Sequence, residues 1–224
     1  MNNFERLEYL IGKDNLIKLH KATVAIIGLG GVGGVCAIAL ARSGIGNLLI
    51  QDFDVVQESN INRQLIANYQ TIGEKKTSLY LQEIKSINPD CQVTVLDERF
   101  DDNSQLFNFH FDFLVDAIDS VANKYSLIKK CLNNDIPFVS AMGAANKVDI
   151  QKLTVLDIKK TTYDPLAKII RKKLRDDNIQ KPVMVVSSTE ETPNLEKLGS
   201  YMPVTASAGL LLADYVLKQI WKGK

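Results

Sequence analysis

The sequence predicts an α/β fold: a doubly wound, mostly parallel sheet with short helices ahead of it and strand and helix additions behind. Three observations carry this. Apolar runs of strand length end repeatedly at a glycine or an aspartate, segments of helical length alternate with them, and the strand runs are apolar on both faces. Parallel strands covered by helices on either side have that character. A chain of 224 residues can bury one sizeable core, and one domain over residues 1–224 is expected.

Taken in order, Phe4 to His20 is short and amphipathic with Gly12 as a break, which predicts two small helices. Ala22 to Ile27 is an apolar, β-branched run ending at Gly28, and Val32 to Ala41 has helical length. Leu48 to Ile50 is again strand-like and closes on Asp52, completing a β-loop-α-β unit. A helix from Glu74 to Ile87 is stopped by Asn88-Pro89, and a strand follows at Gln92 to Leu96. Phe111 to Val115 is the next strand, reaching Asp116; Ala122 to Leu132 is the next helix and Phe138 to Ser140 the fifth strand. After Gly143 the rhythm loosens into a strand at Lys152 to Leu156, a helix at Pro165 to Leu174 and a strand at Val183 to Val186. A polar tract from Ser187 to Ser200 precedes a last apolar helix, Val204 to Ile220.

Composition narrows the function classes. A formal net charge of +1 announces neither nucleic acid nor membrane as a global partner, so any basic surface must be local. Cys36, Cys91 and Cys131 are odd in number and form no C-x-x-C pair, which argues against a disulfide framework and a structural zinc and favours a reducing cytoplasm. No apolar stretch approaches the ~20 residues of a membrane span, and the N-terminus lacks a basic region followed by an apolar run. His20 and His110 lie away from the strand ends, and no metal role is expected of either.

Gly28-Leu29-Gly30-Gly31-Val32-Gly33 follows the first predicted strand and opens the next predicted helix, the context in which a G-x-G-x-x-G spacing carries meaning. Glycines let the backbone approach an anion, and the helix N-terminus adds free amides and the positive end of its dipole. Asp52 ends the second strand, where a carboxylate can accept both ribose hydroxyls. On these residues a nicotinamide dinucleotide fits as well as ATP, and a mere tight turn remains an alternative.

Downstream residues tip the balance. Ser59-Asn60-Ile61-Asn62-Arg63-Gln64 brings an arginine soon after Asp52, and Gly73-Glu74-Lys75-Lys76 sets a lysine at the start of a helix. Either alone reads as a solvated surface charge; together they suit a triphosphate, which carries more charge than the pyrophosphate of NAD. Asp116-Ala117-Ile118-Asp119 ends a strand and should face the same crevice. A carboxylate aimed at phosphates is repelled unless a hard cation such as Mg²⁺ lies between them. The structural alternative is that Asp119 or Ser120 caps the following helix.

These five motifs, in order over about residues 4 to 145, resemble the ThiF/MoeB/HesA adenylating superfamily, relatives of the ubiquitin-activating enzymes. The resemblance implies a Rossmann-like fold in which the glycine loop (Gly28, Gly30, Gly31, Gly33) and Asp52 hold ATP, Arg63 and Lys76 contact its phosphates and Asp119 serves Mg²⁺. Asp54, Ser59, Asn60, Asn62, Gln64 and Ser120 are expected beside the nucleotide. Arg6 resembles an arginine that family members push into the partner subunit's site, which implies a homodimer and places Arg6 with Arg63, Lys76 and Asp119 in the catalytic set. Two C-x-x-C pairs common in MoeB-like and ThiF-like members are absent, and no cysteine follows Cys131, so thioester or sulfur chemistry is not expected.

Within the superfamily the chain is similar to the tRNA threonylcarbamoyladenosine dehydratases. Glu5-Arg-Leu-Glu-Tyr-Leu-Ile-Gly12, Ala41-Arg-Ser-Gly-Ile-Gly46, Ile87-Asn-Pro89, Asp116-Ala-Ile-Asp-Ser120 and Asp164-Pro-Leu166 carry the similarity. It implies adenylation of a threonine-derived carboxylate on tRNA, followed by ring closure with loss of AMP. Family members commonly have a longer tail before the last helix than the tract from Ser187 to Tyr201 provides. The competing readings are adenylation of a small protein's C-terminal carboxylate, an NAD-dependent oxidoreductase, and a non-catalytic nucleotide-binding module; a sulfur-relay protein is a further candidate partner.

Between Lys159 and Lys181 the chain carries Lys159, Lys160, Lys168, Arg171, Lys172, Lys173, Arg175 and Lys181. With Leu166, Ile169, Ile170 and Leu174 marking the apolar face, these cations fall mostly on the other, to which Lys218, Lys222 and Lys224 add. A solvated helix face explains such a run by itself; with the resemblance it becomes a candidate tRNA contact, centred on Arg171, Lys172 and Lys173.

Overall fold

A computed structural model describes residues 3–191 and 196–223. Lys224 and part of the polar tract lie outside the described residues. Two helices, α1 (Glu5–Ile11) and α2 (Lys13–Lys21), precede the sheet, separated by Gly12 at φ 84°. The strands are β1 (Thr23–Ile27), β2 (Asn47–Gln51), β3 (Gln92–Leu96), β4 (Phe113–Asp116), β5 (Phe138–Ala141), β6 (Leu153–Asp157) and β7 (Met184–Ser188). Between and after them run α3 (Gly33–Arg42), α4 (Lys76–Ile87), α5 (Val121–Asn133), α6 (Pro165–Asp176) and α7 (Met202–Lys222).

The sheet order is β3-β2-β1-β4-β5-β7-β6, parallel throughout except for the β6–β7 pair. Register sets the site: Ile27 lies level with Gln51 and with Asp116, and Asp116 level with Ser140. The carboxyl ends of β2, β1, β4 and β5 therefore open at one edge, where an open α/β sheet presents its crevice.

Alternation along β1 divides the core. Val24 and Ile26 face Cys36, Ala37 and Leu40 of α3 and Ala208, Leu212 and Val216 of α7, while Ala25 and Ile27 face Leu127 and Cys131 of α5. Each Leu or Ile so buried contributes roughly 1.5–3 kcal/mol. A third cluster seats α6 through Ala167, Ile170 and Leu174 against Ile158, Val183 and Val185. The expected strand from Phe111 begins instead at Phe113; just before it Asp112 exchanges bonds with Thr23, its N–H donating to Thr23 O and its carboxylate accepting Thr23 N–H, each at 2.8 Å. No helix among the described residues is long and apolar enough to cross a membrane.

Tyr80 of α4 is fully buried and occupies the space left by the missing side chain of Gly34. Its hydroxyl has no hydrogen-bond partner among the described residues. An orphaned buried hydroxyl costs about 1–3 kcal/mol, so Tyr80→Phe should raise stability by about 1 kcal/mol and Tm by about 2–4 °C. Thermal melting tests this, and a lowered Tm would show that the hydroxyl is satisfied.

Candidate active site

The strand ends enclose a cavity of about 600 Å³, within the range of small-molecule and cofactor sites. Its floor is the glycine loop. Gly28 has φ 92°, and a Cβ there would lie 2.7 Å from the carbonyl oxygen of Ala117, so the loop rests directly on the turn after β4. Asp52 ties this loop to β2: Oδ2 accepts Leu29 N–H at 2.6 Å and Oδ1 accepts Asp54 N–H at 2.8 Å. Each oxygen keeps acceptor capacity toward the cavity that Asp52 lines.

Both expected cations line this cavity. Arg63 lines the cavity with its guanidinium held by Ser59 O at 2.8 Å and Asn62 Oδ1 at 2.9 Å. Lys76, the first residue of α4, lines the same cavity and pairs with Asp54 at 2.9 Å; its side chain is 5 % exposed, that of Asp54 48 %. Asn60 is buried, its side chain accepting Gln57 N–H at 3.1 Å. Asp119 lines the cavity, is exposed, and has no hydrogen-bond or ion-pair partner among the described residues.

Gly28, Gly30, Gly31, Asp52, Asp54, Ser59, Asn60, Arg63, Gln64, Lys76 and Asp119 thus line one space. Four expected residues do not. Gly33 is a packing glycine: a Cβ there would overlap the carbonyl oxygen of Gly28 and lie 2.9 Å from Ala117 Cβ. Asn62 stands behind the wall, its amide donating to Ser200 O at 3.1 Å while its Oδ1 accepts from Arg63. Ser120 occupies the N-cap position of α5 without a side-chain cap bond, and Arg6 is exposed on α1, off the cavity wall. Asp116 does not face the crevice either: it is fully buried in an ion pair with Lys124.

Much of the wall carries no motif. On one side stand Gln51, Phe53, Glu98, Arg99 and Phe100, with the Arg99 guanidinium 4.1 Å from the centroid of the Phe53 ring. On the other stand Met142, Gly143, Ala144, Ala145, Leu166, Leu198, Gly199, Ser200 and Thr205. Asp164 fixes this second wall from below, accepting Gly143 N–H at 3.0 Å, Ser187 O–H at 2.9 Å and, as N-cap of α6, Ala167 N–H at 3.0 Å. Lys147 is buried beside it, its ammonium donating to Tyr163 O at 3.2 Å and to Glu190 O, and burial holds its pKa below the usual lysine value. Burial pushes the thiols of Cys36 and Cys131 up, and that of Cys91 up to about 11, so none of the three is a ready nucleophile.

The basic run of α6 divides differently from its expected pattern. Arg171 is half-buried and donates to Thr161 O at 2.6 Å and Ile158 O at 3.3 Å, while Lys173 lies over the Tyr125 ring at 5.3 Å. Lys159 donates to Gln180 O at 2.9 Å, and Lys181 pairs with Asp135 at 2.6 Å. Ile169, expected on the apolar face, is 44 % exposed. Lys168, Lys172 and Arg175 are exposed without partners among the described residues, and their i, i+4, i+7 spacing makes one stripe.

The ThiF family pattern matches residues 4–223. The chain belongs to the ThiF family. Among ThiF relatives, the tRNA threonylcarbamoyladenosine dehydratase of Bacillus subtilis is 44 % identical over 192 residues, 85 % of this chain and 76 % of the relative. The Haemophilus influenzae protein of the same name is 39 % identical over 183 residues, 79 % of this chain and 70 % of its own length. The crystal structure of Escherichia coli tRNA N6-threonylcarbamoyladenosine dehydratase in complex with ATP superposes at TM-score 0.94 with 35 % identity, covering 98 % of this chain and 94 % of that one. E. coli MccB, at 23 % identity and TM-score 0.68, shares the fold.

Proposed function

We propose that this ThiF-family chain is an ATP-dependent tRNA threonylcarbamoyladenosine dehydratase. The observation that carries the proposal is that Arg63, Lys76 and Asp119 line the same cavity as the glycine loop, in a chain 44 % identical to a relative of that name. The threonyl carboxylate of the modified adenosine attacks the α-phosphorus of ATP and pyrophosphate leaves. The carbamoyl group then attacks the activated carbonyl, AMP departs, and the ring closes. The first step stores the leaving group that makes the second a simple displacement, so no protein nucleophile is needed.

In this reading Gly28, Gly30 and Gly31 let the backbone approach the phosphates and Asp52 accepts from the ribose. Arg63 and Lys76 neutralise charge as it shifts toward the leaving pyrophosphate. Asp54 holds Lys76 in place, and Ser59, Asn60 and Gln64 frame the same wall. Among the described residues no three His, Cys, Asp or Glu side chains are grouped to hold a metal. Mg²⁺ binds through one or two carboxylates and the substrate's own phosphates, and Asp119, which lines the cavity, is the carboxylate we assign to it. The uncharged wall of small residues is open to the acyl group.

The protein would act in the reducing cytoplasm as a homodimer, with Arg6 reaching the partner's cavity and Tyr9 and Leu10 beside it, 77 % and 81 % exposed, covered by the contact. A sulfur-relay protein is a further partner consistent with this reading. The deciding experiment follows AMP release from ATP, Mg²⁺ and bulk tRNA. AMP formed only when tRNA is present supports the proposal; AMP formed with a small carrier protein instead, or nicotinamide binding without ATP turnover, overturns it.

For tRNA binding, the structure shifts attention from Arg171 and Lys173 to Lys168, Lys172 and Arg175. Replacing these three together with alanine should weaken tRNA binding and reduce the slope of log K against log salt by about 1 for each phosphate no longer neutralised. Filter binding across a salt series measures this, and an unchanged slope would remove α6 from the tRNA surface.

A further inference from the structure

Beneath the cavity floor lies a buried charged cluster that the proposed chemistry does not use. Asp116, the last residue of β4, and Lys124, in the first turns of α5, have side chains 0 % exposed, with Lys124 Nζ 2.8 Å from Asp116 Oδ2. Ser140 of β5 closes the cluster: its hydroxyl donates to Asp116 Oδ2 at 2.6 Å and accepts from Lys124 at 3.1 Å. The second carboxylate oxygen accepts Ile118 N–H at 3.0 Å.

Burying an ion pair is costly, and apolar residues of similar volume commonly serve stability as well or better. Stability alone therefore gives no reason for this cluster, whereas its geometry does. Through Ile118 N–H, Asp116 holds the Ala117-Ile118-Asp119 turn. Ala117 N–H donates to Ile27 O at 2.8 Å, and its carbonyl is the surface on which Gly28 rests. Ser140 is followed by Ala141 and Met142 of the cavity wall. One carboxylate thus sets the glycine loop, the Asp119 turn and the end of β5 relative to one another.

We propose that Lys124, with Asp116 and Ser140, is a positioning residue: the buried cluster aims the Asp119 carboxylate at the phosphates lying over the glycine loop. This rests on the phosphate-facing role of Asp119 proposed above. Lys124 acts by geometry: with the Ser140 hydroxyl it fixes Asp116 Oδ2, which leaves Oδ1 turned to the Ile118 amide.

The test is the triple variant Asp116→Val/Lys124→Met/Ser140→Ala, which removes the cluster without leaving a charge unpaired. We expect cooperative unfolding as in wild type and a KM for ATP within a few-fold, because Asp52 still ties the glycine loop to β2 through Leu29 N–H. The kcat for tRNA-dependent AMP release should fall about 100-fold, a loss that misplacing a group by about 1 Å can cause. A wild-type kcat in the folded triple variant overturns the proposal. Should that variant not fold, Ser140→Ala carries the test, with a lowered kcat at unchanged KM expected and a wild-type kcat overturning it. Asp119→Ala runs in parallel: inactive Asp119→Ala beside a fully active triple variant refutes positioning alone, whereas active Asp119→Ala refutes the reading on which it rests.

Discussion

Arg63→Ala should lower tRNA-dependent AMP release by about 10³-fold while the protein melts near the wild-type temperature. Its guanidinium is held at the tip by Ser59 O and Asn62 Oδ1, and its loop keeps the Asn60 cap that shapes it. Removing it leaves no buried partner orphaned, so the stability change should stay within about 0.5 kcal/mol, as at an ordinary surface site. The loss belongs in kcat, because the guanidinium would meet charge that develops as pyrophosphate separates; a raised KM with kcat intact would mean uniform binding instead. Asp119→Ala should show the same separation of activity from stability. Its carboxylate has no partner among the described residues, so nothing structural goes with it. The two variants act on one polyphosphate, and their combined effect should fall short of the product of the singles. Steady-state kinetics with thermal melting checks all three statements, and near-wild-type turnover in either single variant would refute its role.

The parts of this molecule legible in the sequence are those where local chemistry and strand ends coincide. Gly28 to Gly31, Asp52 and Asp119 each sit within a few residues of a strand's carboxyl end, so the alternation of apolar runs places them in the crevice. Arg63 and Lys76 are harder to place, and only their order after the glycine loop singles them out. Arg99 and Gly143 also follow strand ends, but their residue types carry no pattern, and Leu198, Ser200 and Thr205 reach the cavity only through the path of a long connection. The antiparallel edge strand β6, and the insertion of β7 between it and β5, follow from tertiary packing that a strand's own residues do not encode. Lys124 is invisible for a related reason: a lysine near the start of a polar-looking helix reads as solvent-facing, and only the depth of α5 against β4 and β5 buries it. Arg171 departs in the opposite direction, since helical periodicity puts it among free cations but gives no account of the Thr161 carbonyl within its reach.

Gly33→Ala and Gly30→Ala should fail in different ways. A Cβ at Gly33 would overlap the backbone carbonyl of Gly28 and crowd Ala117, with no flexible side chain able to yield. The start of α3 would have to lift from β1, at a cost of about 3 kcal/mol or more, and the lower Tm should bring loss of ATP binding with it. Gly30 is the contrary case. Its φ lies outside the left-handed region, and the nearest atom to a methyl added there is Gln64 Nε2 at 3.9 Å, so alanine fits the fold and Tm should hold. Yet Gly30 lines the cavity, and a methyl there would stand where the phosphates must approach the backbone. ATP affinity should fall at least about tenfold, or about 1.4 kcal/mol, in a fully folded protein. Calorimetric titration with ATP beside a thermal melt separates the two glycines. If Gly30→Ala bound ATP as tightly as wild type, the polyphosphate could not lie over this loop, and the convergence of Arg63, Lys76 and Asp119 would need another ligand to explain it.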